Sequence, residues 1–298
     1  MAIEKKIVIG AINITMQPHS PKKYHALFRD AYKLKKPVKI SGHQYGILSR
    51  WHKLNPLETG ITPFTGDIFK YTDIDMDGNW FNVLTNGFAS ESDLEDMVIK
   101  EHLKPNSSRF SYIFYPKQHI IFYEGYYDSK TLGPSNAERF FHNLLNQEEL
   151  NDKYGKVDVT HVPSVDKLQE ALKLKQIEKL KFVVNRPNPD DHATAEAEVL
   201  ERMSQRNVSE FRQEFKAEEG KNIEMDNDLT TMAHISARNG MTFIKGKDLE
   251  LKTQEFSTKS HPWTLKEYYD SGVELPFTVL ARIANSLKDN VVNWFKNE

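Results

Sequence analysis

The strongest constraint on the fold is a change of rhythm near residue 156. Up to that point strand-like runs dominate: "KKIVIGAINI" (5–14), "VKISGHQYGILSRW" (38–51), "TGDIFKYTDI" (65–74), "FSYIFY" (110–115) and "HIIFYEGYY" (119–127). β-Branched and aromatic residues recur in them at the spacing of a pleated strand, between turn formers. Beyond it, strand and helix signals alternate: "KVDVTHV" (156–162), "SVDKLQEALKL" (164–174), "KLKFVVN" (179–185) and "PDDHATAEAEVLERMSQ" (189–205). This succession predicts an α+β protein. A β-rich N-terminal domain over 1–155 is followed by a smaller α/β domain over 156–298, which ends in a long amphipathic helix.

Several helix boundaries carry their own chemistry. Ser20 is a good N-cap and Pro21 suits the first helical position. Tyr24, Leu27, Phe28 and Ala31 then fall on one face, and Pro37 ends the helix. Ser90 reads as the cap of a short helix, and Ser135 with Glu138 as a Ser-x-x-Glu capping box. A helix over 228–239 stops at Gly240. The closing helix runs from Pro276 through Phe277, Leu280, Ile283, Ala284, Leu287, Val291 and Trp294. Apolar bulk at a terminus that would otherwise fray asks for burial. Leu287, Val291, Trp294 and Phe295 are therefore predicted to form a homodimer interface, with packing on their own domain as the alternative.

Composition narrows the function classes. The chain has no cysteine, which removes disulfides and thiolate metal sites. No run approaches the ~20 apolar residues that cross a bilayer, and the N-terminus lacks a small-residue cleavage site. The expectation is a cytoplasmic protein without membrane insertion. Lys and Arg number 40 against 42 Asp and Glu, a net charge of −2. Any nucleic-acid contact must then come from local clusters. "YKLKKPVK" brings together Lys33, Lys35, Lys36 and Lys39, and "LKLKQIEKLK" brings together Lys173, Lys175, Lys179 and Lys181. Such runs serve either as a solvated face or as phosphate contacts, which give affinity without sequence specificity.

The stretch "NRPNPDDH" (185–192) poses the sharpest question. Asp190, Asp191 and His192 have the chemistry of metal ligands or of general acid and base groups. Yet Asn188 as N-cap, Pro189 at the first position and two aspartates in the first turn are also what a helix start requires. Capping accounts for every residue there except Arg186, whose guanidinium suits a phosphate or an acidic neighbour. "DIDMDG" (73–78) begins like a calcium loop, but Leu84 stands where the bidentate Glu belongs, so a polar turn is expected. Serine-hydrolase, phosphate-loop and dinucleotide signatures are missing. No catalytic residue, metal ligand or cofactor is assigned. Lys33, Lys35, Lys36, Lys39, Lys179, Lys181 and Arg186 are the predicted nucleic-acid contacts.

The stretches "IGAINITMQPHSPKKY", "FKYTDIDMDGNWFN", "LKPNSSRFSYIFYPKQH", "LGPSNAERFFHNLLN" and "NRPNPDDH" resemble a bacterial family known only as a domain of unknown function. More distantly, "GPSNAERFFHNLL", "KLKFVVNRPNPDDHATAEAEVLERM" and "ARIANSLKDNVVNWFK" are similar in pattern to the phage lambda exclusion protein RexA and the Kiwa defence protein KwaB. That second resemblance implies a two-domain homodimer that binds DNA with little sequence preference and senses or excludes phage. It also implies a second defence protein encoded nearby as a partner. A metal-dependent nuclease or toxin, or a sensor that binds only protein, are the alternatives.

Overall fold

A computed structural model describes residues 4–95, 97–186 and 194–294. The chain opens with β1 (Glu4–Met16), α1 (Pro21–Leu34), β2 (Val38–Ser41), β3 (Gln44–Leu48), β4 (His52–Lys53) and β5 (Phe64–Thr72). A small hairpin, β6 (Phe81–Asn82) and β7 (Gly87–Phe88), precedes α2 (Glu91–Leu94), β8 (Ser108–Tyr115), β9 (Ile120–Tyr127) and β10 (Lys130–Thr131). Next come α3 (Pro134–Leu145), α4 (Glu148–Tyr154), β11 (Val157–His161), α5 (Val165–Leu172) and β12 (Gln176–Asn185). The remainder is α6 (Thr194–Gln205), β13 (Glu210–Lys216), α7 (Asn227–Asn239), β14 (Gly240–Lys247), β15 (Thr253–Ser257), β16 (Thr264–Asp270) and α8 (Pro276–Asn293).

Two sheets organise this mixed α+β architecture. A curled 10-stranded antiparallel sheet follows the order β11-β1-β9-β8-β5-β3-β2, with β16 also on β1, β10 on β9 and β4 on β5. A 4-stranded sheet has the order β13-β12-β14-β15. β1 is the organising strand: one edge pairs with β9, while the other takes β16 along Glu4–Gly10 and β11 along Ile12–Met16. Sheet membership therefore does not change at residue 155, because β11 and β16 both return to the first strand. The alternation of strands and helices beyond 156 also differs from a parallel unit. Its sheet is antiparallel throughout.

Because β1 is covered on both faces, it reads as a nearly continuous apolar run. Ile12 and Ile14 point into one core with Phe28 of α1, Phe64, Phe114 and Phe140 and Phe141 of α3. Ile7, Ile9 and Ala11 point into the other with Ile113, Phe122 and Val279, Leu280 and Ile283 of α8. Leu180, Phe182 and Ile244 of the small sheet pack on α5 and α7 through Leu168, Ala233 and Ala237. The open end of the large sheet is blunted: Asn143 and Arg139 of α3 donate to the carbonyls of Lys39 and Ile40 on β2 at 2.7 and 2.8 Å.

Ser20 caps α1 as the sequence requires, its Oγ accepting from the Lys23 N–H at 3.2 Å. Ser20→Ala should cost about 1 kcal/mol in a denaturant titration, and an unchanged midpoint would show that α1 is held by packing alone. The capping box read at Ser135 and Glu138 is not formed. Pro134 starts α3 two residues earlier, Gly133 takes the cap position without a side-chain acceptor, and the Glu138 carboxylate turns to His161. Gly240 does end α7, but it also opens β14 against β12. A Cβ there would stand 2.1 Å from the Val183 carbonyl oxygen.

α8 forms with its stripe turned toward the protein's own sheet. Val291 is buried in the second core, Leu287 packs on it, and the Trp294 ring lies 5.6 Å from Trp263. Intramolecular packing thus accounts for three of the four residues expected at a dimer contact; Phe295 lies outside the described residues. Among the described residues no helix is long and apolar enough to cross a membrane.

Candidate anion-binding cleft

Where β12 ends, the chain leaves the small sheet beside the end of β1. Arg186 is the first residue out, its N–H donating to the Ser209 carbonyl at 3.2 Å. It borders a cavity of about 530 Å³. Thr15, Met16 and Gln17 line it from β1, Lys156 and Asp158 from the start of β11, and Ser209 and Glu210 from the start of β13. Lys156 and Asp158 pair at 3.3 Å, which leaves their charges largely balanced. Arg186 is different: its Nε is shielded from solvent and has no hydrogen-bond partner among the described residues. A buried guanidinium N–H without an acceptor costs on the order of 1–3 kcal/mol or more. A guanidinium also presents a planar fork of donors suited to an oxyanion. The cleft is therefore a candidate anion site, with the Asp158 and Glu210 carboxylates in the same lining.

Beneath the same seam lies a buried polar layer. Arg238, in the last turn of α7, sits with Nη1 3.4 Å from Glu196 Oε2, and Asn239 Nδ2 donates to Glu196 Oε1 at 3.1 Å. Asn13 of β1 reaches the Arg238 carbonyl with its Nδ2 at 3.4 Å, tying α7 to the large sheet. Nearby on β11, His161 places Nδ1 2.6 Å from Glu138 Oε2 and Nε2 3.0 Å from the Thr258 carbonyl. Burial pushes the Glu138 carboxyl up, but the hydrogen bonds and charge of His161 outweigh it and hold that carboxyl below its ordinary value. These groups hold the large sheet, α3, α7 and the β15–β16 connection together.

Of the seven predicted cations, only Arg186 lines this cavity. Lys33, Lys35, Lys36 and Lys39 lie exposed along the end of α1 and on β2, at the other end of the strand order. Lys36 is ion-paired to Glu149, and Lys39 borders a separate cavity with Asp73, Asp75 and Asp77. Lys179 and Lys181 sit on the small sheet, where Lys179 pairs with Glu214 at 2.8 Å. The lysine clusters are thus two separate patches, partly neutralised by their own glutamates. "DIDMDG" forms a turn, with the Asp75 carboxylate accepting from the Asp77 N–H at 3.1 Å. Asp190, Asp191 and His192 lie outside the described residues.

The cleft, both sheets and most of α8 fall within one match to a family model. That model, described as a domain of unknown function (DUF4747), covers residues 5–285. The chain belongs to the DUF4747 family. A search of curated proteins finds no match. The span of the DUF4747 match includes every residue lining the Arg186 cleft and stops before Leu287, Val291 and Trp294.

Proposed function

We propose that this DUF4747 chain contacts the phosphates of nucleic acid through the Arg186 cleft and that the contact serves phage exclusion. One observation carries the reading: a buried guanidinium N–H with no partner among the described residues, beside a cavity of about 530 Å³. That volume is in the range of pockets that hold a nucleotide-sized group. The role is the one implied by the similarity to RexA and KwaB, non-specific binding by a homodimer working with a second defence protein. In this reading Arg186 supplies the short-range contact. The lysine patches contribute a weaker long-range attraction, because the Lys36–Glu149 and Lys179–Glu214 pairs offset part of their charge.

A gel-shift series with duplex DNA, single-stranded DNA and RNA at two salt concentrations tests it. Binding should weaken steeply with salt as counterions are released, and equally for unrelated sequences. Charge reversal at Lys35 and Lys36 should weaken all sequences alike by a smaller factor than Arg186→Ala. Arg186→Ala should lower affinity about tenfold or more, the worth of one charge-assisted contact. Binding that ignores salt, or an Arg186→Ala protein as tight as wild type, would refute the reading.

A further inference from the structure

We infer that the segment between β5 and β8 is a docking surface for a protein partner whose contact face is apolar and rimmed by Lys and Arg. Large apolar side chains stand in solvent there: Leu84 is 92% exposed, Val98 83%, Phe88 80% and Phe81 60%. Single exposed apolar residues are ordinary, whereas a group of them marks a contact surface. Phe81 and Phe88 are direct cross-strand partners in the β6–β7 hairpin, each strand of which is two residues long. A lone two-stranded ladder is marginal in water and needs a further strand or a packed face. Neither ring belongs to a buried cluster among the described residues. The hairpin presents an apolar face that the other described residues do not cover.

Charge selects the occupant. From Asp73 to Ser107 the sequence has eight Asp and Glu against two Lys, Lys100 and Lys104, and Lys104 is paired with Asp73. A two-fold contact with a second copy would set this acidic face against itself. Nucleic acid and anionic lipid are repelled by it for the same reason. A basic, apolar protein surface satisfies both properties at once, with opposite charge steering the encounter and apolar contact holding it. The surface is independent of the Arg186 cleft, so the chain would bind phosphate at one place and protein at another.

The test uses the full chain and a fluorescent amphipathic peptide of Leu and Lys, about 18 residues or five helical turns long. A Leu and Glu peptide of the same pattern and vesicles of anionic phospholipid serve as comparisons. The Leu/Lys peptide should bind saturably and more weakly as salt rises, and neither comparison should bind. The double variant Phe81→Ser/Phe88→Ser should weaken that binding by more than about tenfold with its melting temperature unchanged. Leu249→Ser, at an exposed apolar position elsewhere, should not. Equal peptide binding by the double variant would overturn the proposal, as would equal affinity for the Leu/Glu peptide or binding to the vesicles. Self-association seen by light scattering and abolished by the double variant would also overturn it, by assigning the face to a second copy.

Discussion

Glu196→Ala should destabilise the protein by about 3–5 kcal/mol, the usual cost of breaking a buried ion pair from one side. Glu196 and Arg238 are 5% and 7% exposed, so water cannot replace the lost carboxylate. The same carboxylate also accepts from Asn239, and Asn13 holds the Arg238 carbonyl from the large sheet. The loss therefore reaches the seam between the two sheets. Glu196→Gln keeps an acceptor for Asn239 while removing the charge, and should cost less. Urea titration at neutral pH measures both. A change below about 1 kcal/mol for Glu196→Ala would place the pair in the class of exposed salt bridges and remove it from the joint between α7 and the large sheet.

The second large effect is a pH dependence set by Glu124. This residue on β9 lies 3% exposed on the face that carries α8, its Oε2 accepting from the Ser111 N–H at 2.7 Å. Ser111 Oγ in turn donates to Asp67 Oδ1 at 3.1 Å, so two carboxyls share one serine. Burial pushes the Glu124 carboxyl up to about 7; the Ser111 N–H and Arg109 oppose this, and Asp67 adds to it. The folded state therefore holds a proton that the unfolded chain releases near its ordinary value of 4.5. Between those two values the native state binds more protons, so stability falls as pH rises from about 4.5 to about 7 and is level for this group beyond it. At about 1.4 kcal/mol per pH unit the window is worth roughly 3 kcal/mol. Glu124→Gln keeps the acceptor for Ser111 and cannot ionise. It should flatten this part of the stability profile and be the more stable protein at pH 8. A wild-type profile that rises through this window, with no difference in Glu124→Gln, would contradict the assignment.

What was legible in the sequence was local. Ser20 and Pro21 announce α1 because a cap and a preset φ act within one turn, and the apolar spacing of α8 identifies its buried face. Which surface covers that face is a tertiary matter, and the stripe read as a dimer contact lies in the second core, where Trp294 meets Trp263. β16 left no clear signal. In "TLKEYYD" only Tyr269 is buried, and the strand is defined by its pairing with β1, some 260 residues earlier. The antiparallel order of the small sheet was hidden for a similar reason: strand and helix spacing do not encode which edges meet. Ser135 and Glu138 had the letters of a capping box, but Pro134 moved the helix start and His161, 23 residues on, took the carboxylate. The Glu196–Arg238 pair spans 42 residues. Its one sequence trace is a set of polar residues among the buried positions of "MAHISARN" on α7. Arg186 stands out in the sequence because a helix start over 188–191 would account for its neighbours and not for it.

The most direct measurement is on Arg186 itself. In ¹⁵N-labelled protein the Arg186 Nε–Hε resonance can be assigned by its absence from Arg186→Lys and followed as a duplex oligonucleotide is added at low salt. Phosphate contact in the cleft predicts a saturable shift of that resonance, with the same midpoint as binding measured by fluorescence anisotropy. An Arg186 resonance that stays in place while the duplex binds would contradict the account and move the contact to another surface.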